Sequence, residues 1–383
     1  MNEKFIPVAK PILGEEEAQA ARRVILSGWV VQGPEVAGLE REFAEFVGAP
    51  YACAVSNCTT ALHLAMLIMG IGPGDEVITV SHSFIATANS IRFCGATPVF
   101  VDIDPTTYNM DPALIEAAIT PKTRGILCVH QMGMPCDLAA IMPIAKKHGI
   151  FLVEDAACAS GSEILWNGQW DKIGKPHADM ACFSLHPRKL VTTGEGGMIT
   201  TTNAEWDRRL RILRHQGMSV TDTVRHSSKQ VIFEDYDEVG YNYRMCDIQA
   251  AVGREQLKRL PYIVESRRAL GSRYMTLLAD IPGIKLPFEP DWARTNWQCF
   301  CIGLPDGCDQ RTVMQRMLDN NIATRRAVMC SHREKLYADL PLRFPLPMSE
   351  KVQDNYIMLP LFSQMTDEDQ ILVVETLKRA VSC

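Results

Sequence analysis

The sequence predicts an α/β protein: a mostly parallel central sheet with helices on both faces, followed by a smaller C-terminal α/β domain. Three observations point there. Between residues 50 and 202, short β-branched runs alternate with amphipathic helical stretches. The runs are apolar almost throughout, as strands covered on both faces must be. After Arg244 the alternation gives way to long helical patterns with only short strands, which separates a large domain (1–250) from a small one (251–383).

The first element is a helix over Glu15–Leu26, ended by the loop residues Ser27-Gly28-Trp29 and Gln32-Gly33-Pro34. The N-terminal segment 1–30 is expected to pack on the small domain. Strands follow over Tyr51–Val55, Glu76–Val80, Thr97–Ile103, Gly125–His130, Ile150–Glu154, Met180–Leu185 and Met198–Thr201. Amphipathic helices over Thr59–Met69, Pro112–Ile119 and Leu138–His148 lie between several of them. In such a sheet the ligand sits beyond the C-terminal strand ends. Beyond Arg244 the pattern predicts helices over Asp247–Leu260 and Val264–Leu278, short strands around Gln298–Leu304, and helices over Gln310–Asn320 and Asp367–Ala380.

Composition narrows the function classes. At 383 residues, 47% hydrophobic and 22% charged, the chain reads as an ordinary soluble globular protein with a large core. A net charge of −6 without a basic block argues against nucleic acid or an anionic membrane as the main partner. The thirteen cysteines are odd in number and contain no Cys-x-x-Cys pair, so they read as reduced, mostly buried thiols of a cytoplasmic protein. No metal site is expected. The N-terminus has no apolar signal region. The apolar stretch Ala54–Gly72 carries Ser56, Asn57, Thr59, Thr60 and His63, which makes it a buried strand-turn-helix and not a membrane span.

The most informative segment runs from Phe183 to Gly197. It sets Lys189 between the β-run Met180–Leu185 and a Thr-Thr-Gly-Glu-Gly-Gly turn. A flexible amine on such a turn suits a Schiff base with a carbonyl-bearing cofactor, here inferred to be pyridoxal 5′-phosphate. A lysine chosen at random is far more often a solvated charge, and three separate features shift that balance. Asp155 ends an apolar run and would project into the ligand crevice, where a carboxylate keeps a pyridine nitrogen protonated; taken alone, it serves equally well as a helix cap. Ser56-Asn57-Cys58-Thr59-Thr60, between a strand and a helix, offers backbone N–H groups to a phosphate, with an ordinary N-cap as the alternative. Ser184 adds a hydroxyl. Phe84, just past a strand, could stack on a pyridine face or belong to the core.

Together these residues resemble the DegT/DnrJ/EryC1/StrS family of sugar aminotransferases, pyridoxal phosphate enzymes of fold type I. The similarity covers nearly the whole chain. It includes Ser27-Gly28-Trp29, Gly74-Asp75-Glu76-Val77-Ile78, the stretch Gly95 to Asp104, Glu154-Asp155-Ala156-Ala157, and His186-Pro187-x-Lys189 with Thr193-Gly194-Glu195-Gly196-Gly197. Gly240-Tyr241-Asn242-Tyr243-Arg244-Met245-x-Asp247 and Leu359-Pro360-Leu361 complete it.

The resemblance implies that Lys189 is the Schiff-base lysine and proton shuttle, Asp155 the pyridinium partner and Phe84 the stacking ring. Cys58, Thr59 and Ser184 would hold the phosphate. Asn242 would reach the phosphate in a neighbouring subunit, implying a homodimer with shared active sites. Trp29 and His332 fall where the family contacts a nucleotide-sugar substrate, and Arg325, with Arg326 and Arg333, would bind its diphosphate or remain solvated. Cys158 stands where the family often has glutamine bonding the cofactor's phenolic oxygen. Cysteine is a poorer partner for that contact.

The expected reaction moves an amino group from L-glutamate to a nucleotide-linked keto sugar, with a 4-keto-6-deoxyhexose favoured by the resemblance. A cationic ring beside Lys189 would lower the amine's pKa and supply the neutral base. Alternatives are a 3-keto sugar or a cyclitol as acceptor, a dehydratase, or a non-catalytic regulatory relative. Lysine at position 189 argues against the dehydratase branch.

Overall fold

Apolar five-residue runs bounded by polar turns become the central strands, and their burial on both faces sets the rest of the architecture. The computed structural model describes residues 4–220 and 222–382. Residues 1–3, 221 and 383 lie outside this description, and with them the last of the thirteen cysteines. The strands are β1 (Tyr51–Val55), β2 (Glu76–Val80), β3 (Thr97–Val101), β4 (Thr123–Val129), β5 (Phe151–Asp155), β6 (Glu163–Trp166), β7 (Gln169–Lys172), β8 (Met180–Ser184), β9 (Gly197–Thr201), β10 (Ala293–Arg294), β11 (Phe300–Gly303), β12 (Arg325–Arg326) and β13 (Tyr356–Leu359).

Seven of them form the main sheet in the order β1-β9-β8-β5-β4-β2-β3. The pairs β2–β3, β2–β4, β4–β5 and β5–β8 are parallel, and β9 runs against both of its neighbours. The mostly parallel sheet is therefore present. Alternate strand residues feed two separate cores. Ala52, Ala54, Ile78 and Val80 join Leu39, Phe43, Ile141 and Leu260 on one face, and Cys53, Val55 and Val77 join Ala61, Leu64, Ile91 and Leu210 on the other. Helices α1 (Glu15–Ser27), α2 (Pro34–Val47), α3 (Cys58–Ile68) and α4 (Ala86–Phe93) open the chain. A third core gathers Ile6, Leu270, Tyr274, Phe300, Ile302, Ile357 and Leu377 around the sheet β11-β13-β12.

Two sequence expectations change. The separate helices over Asp247–Leu260 and Val264–Leu278 are one helix, Asp247–Leu278, running through Pro261. Proline removes one backbone donor and crowds the preceding turn. The helix nevertheless continues because Leu257, Leu260, Ile263 and Val264 are buried in the first core and Leu270, Tyr274 and Leu278 in the third. The strand expected to reach Ile103 ends at Val101, because the Asp102 carboxylate turns away to accept the Met348 and Ser349 N–H groups. The structure adds the β6–β7 hairpin, in which Asn167 and Gly168, both at positive φ, supply a two-residue turn.

Candidate active site

Parallel strands present their C-terminal ends on one side, and β5, β8 with the turn after it, the start of α3 and the segment after β2 deliver functional groups there. Asp155 is the last residue of β5 and is almost fully buried. Its Oδ2 accepts a 2.7 Å hydrogen bond from the Thr87 hydroxyl, which itself meets the Ser83 hydroxyl at 2.7 Å. Its Oδ1 accepts from the Ala157 N–H. Burial raises the Asp155 pKa above its ordinary value, and the Thr87 and Ala157 bonds and the Lys189 charge only partly oppose that. Such a carboxyl is matched to a cationic partner inside the site. Beneath it the buried His130 ring holds Glu154 at 2.8 Å, and its backbone N–H bonds the Asp155 carbonyl.

Lys189 sits on the turn between β8 and β9, half-buried, with Nζ 3.0 Å from the Cys158 sulfur. Burial pushes the amine's pKa down, but the neighbouring sulfurs, Cys158 first and then Cys299 and Cys58, outweigh it, so the pKa lies above its usual value. The chain's own groups thus favour the ammonium. Ser184, the last residue of β8, is buried, and its Oγ accepts from the His186 N–H.

The N-terminus of α3 lies beside β9. Asn57 caps it by accepting from the Thr60 N–H. Among the described residues, the Cys58 and Thr59 N–H groups have no partner. The Cys58 thiol points into the core toward the Cys182 carbonyl, so only its backbone N–H is available to an anion. Gly197 makes the close approach possible. A Cβ there would lie 2.5 Å from the Asn57 carbonyl carbon and oxygen and 2.8 Å from the Cys58 nitrogen. These are backbone atoms that cannot step aside. Gly197→Ala is therefore expected to cost about 1–3 kcal/mol of stability and to weaken pyridoxamine phosphate binding, both measurable by calorimetry.

Phe84 follows β2 and is 63% exposed, open to a ligand and absent from the cores. The remaining expected contacts lie farther out. Trp29 sits half-buried on the α1–α2 loop, edge-on to His226 at 5.2 Å. That loop is held by Asp247, whose carboxylate accepts from the Gly33, Glu35 and Val36 N–H groups. His332 is 2.6 Å from the Ser81 hydroxyl and 3.0 Å from Glu350, so both ring nitrogens are already engaged. Arg333 bonds Asp354 and Glu350, whereas Arg325 lies exposed on β12. Asn242 is exposed, bridged through its backbone to His215.

A cradle of free N–H groups, a buried carboxyl short of a cation, an amine and an exposed ring are what pyridoxal phosphate requires, so the residues fit it. Thr87 lies in the stretch that contains Phe84, and nothing in its local sequence marks it as a partner of Asp155. Only the fold brings it to Asp155.

Three relatives extend this. The spore coat polysaccharide biosynthesis protein SpsC of Bacillus subtilis (strain 168) is 38% identical, over 98% of this chain and 97% of its own. DesV of S. venezuelae, solved in complex with a ketimine intermediate, is 32% identical with a TM-score of 0.88, covering 99% of both chains. The PLP-form of the putative sugar aminotransferase Spr1654 from Streptococcus pneumoniae has a TM-score of 0.89 at 28% identity, covering 99% of both chains. Residues 11–378 match the DegT/DnrJ/EryC1/StrS aminotransferase family, and with a site of this composition the chain belongs to that family.

Proposed function

We propose that this sugar aminotransferase moves an amino group from L-glutamate to a nucleotide-linked keto sugar, a 4-keto-6-deoxyhexose. Pyridoxal phosphate is the cofactor, and when bound it supplies the electron sink that lets the Cα–H bond of the amino donor ionise. The observation that carries the reading is the convergence of Lys189, Cys158 and the buried Asp155 at the ends of β5 and β8. Asp155 keeps a positive charge on the ring nitrogen. The Cys58 and Thr59 N–H groups and Ser184 bind the phosphate. Phe84 covers a ring face. Nζ of Lys189, once free, takes the proton from the donor's Cα and returns it on the acceptor side.

The choice of sugar rests on the Thr193-Gly194-Glu195-Gly196-Gly197 motif and on the polysaccharide biosynthesis named for SpsC. Trp29 and His332 line the approach for the sugar nucleotide, with Arg325 for its diphosphate. His332 would exchange its Glu350 contact for substrate. A homodimer with shared sites is supported by the exposed Asn242 and by Val231, Phe233 and Val239, each more than four-fifths exposed on the stretch before it.

The test is product analysis with L-glutamate and nucleotide-linked 4-keto-6-deoxyhexoses and 3-keto sugars. The reading predicts one 2-oxoglutarate released per aminated 4-keto sugar. Dehydration without glutamate consumption, or amination of 3-keto sugars alone, would contradict it.

A further inference from the structure

The turn Asn296-Trp297-Gln298 comes from the C-terminal part of the chain, yet its side chains end on the two loops that carry the reactive pair. Gln298 donates a 2.6 Å hydrogen bond from Nε2 to the carbonyl of Arg188, the residue immediately before Lys189. Asn296 donates from Nδ2 to the carbonyls of Cys158 at 2.8 Å and Ser160 at 2.9 Å. The Asn296 side chain also holds the Gln298 main chain, whose backbone N–H donates to Asn296 Oδ1 at 2.8 Å. One turn therefore fixes both backbones whose side chains meet at 3.0 Å.

The turn is itself held from behind. Arg267, buried on the long helix, donates at 2.8 Å to each of the Trp297 and Gln298 carbonyls. Trp297 has φ +50, a left-handed conformation costly for a tryptophan, and it is kept by this surrounding structure. Packing alone does not account for Gln298. It is buried, and its Oε1 has no partner among the described residues. A buried carbonyl oxygen without a donor is destabilising, so what the side chain contributes is its Nε2 bond to the lysine turn.

We propose that Gln298, locked by Asn296, is a positioning residue for Lys189: it fixes the backbone of the lysine turn so that Nζ meets the carbon it must attack. Misplacing a nucleophile by an ångström slows bond formation without loosening the rest of the site. The inference rests on the pyridoxal phosphate reading above.

The experiment separates the two. Cofactor-free protein is mixed with saturating pyridoxal phosphate, and the first-order growth of the visible band is followed. Pyridoxamine phosphate, which has no aldehyde and cannot bond Lys189, is titrated calorimetrically to report the cradle alone. Gln298→Met is expected to slow band growth on the order of tenfold with pyridoxamine phosphate affinity unchanged, and Gln298→His, which keeps a donor nitrogen, is expected to recover most of the rate. A Gln298→Met rate equal to wild type overturns the proposal. So does a parallel loss of pyridoxamine phosphate affinity, which would make Gln298 merely structural. A wild-type protein that never develops the band overturns the cofactor reading instead.

Discussion

Lys189→Ala is expected to lower turnover with L-glutamate on the order of 10⁴-fold, the largest effect of any single change in the chain. On the proposed function the amine has two tasks that no neighbour duplicates: it would hold the cofactor through its carbonyl carbon and would move the proton at the donor's Cα. The nearest candidate, Cys158, has a thiol 3.0 Å from Nζ, which cannot form a stable imine. Binding of pyridoxamine phosphate should survive, because the Cys58 and Thr59 N–H groups and Asp155 are untouched. Single-turnover kinetics together with pyridoxamine phosphate titration check both halves. Loss of binding along with turnover would mean that the variant fails for reasons of folding.

Asp155→Asn is expected to lower turnover by roughly 10²–10³-fold, since it removes a preorganised charge from the ring nitrogen. Its effect on stability should run the other way. Burial raises the Asp155 pKa in the folded chain. A carboxyl with a raised folded pKa binds its proton more tightly when folded. The stability it adds is thus fully present below its unfolded pKa and is lost as pH rises through the folded one. Asparagine pays no such cost. The cofactor-free variant should match wild type in acid and become the more stable protein toward neutral pH, as calorimetry across that range would show. Added pyridoxamine phosphate should favour wild type, whose carboxylate then has its cation. A variant less stable than wild type at neutral pH would contradict the assignment of Asp155 as a destabilising charge held for function.

The parts of the site readable in the sequence are those encoded by neighbours in the chain. Lys189 stands out because a β-run and a glycine-rich turn flank it within a few residues, and Asp155 because it ends an apolar run. The central strands were legible because burial on both faces leaves them apolar throughout. What escaped depends on contacts between distant segments. Thr87 reaches Asp155 only because β2 and β5 both flank β4. Gln298 reaches Arg188 across 110 positions of chain. The break expected between Leu260 and Val264 is closed by packing on two cores. The Asn167-Gly168 turn is a local signal, masked because its hairpin interrupts an otherwise regular βα alternation.

Everything proposed for the site depends on Lys189 carrying the cofactor and giving it up to an amino donor. The most direct measurement is the visible spectrum of the protein reconstituted with pyridoxal phosphate, before and after addition of L-glutamate. A yellow band that bleaches on addition and returns with a keto-sugar acceptor is the predicted result. A reconstituted protein with no visible band would contradict it.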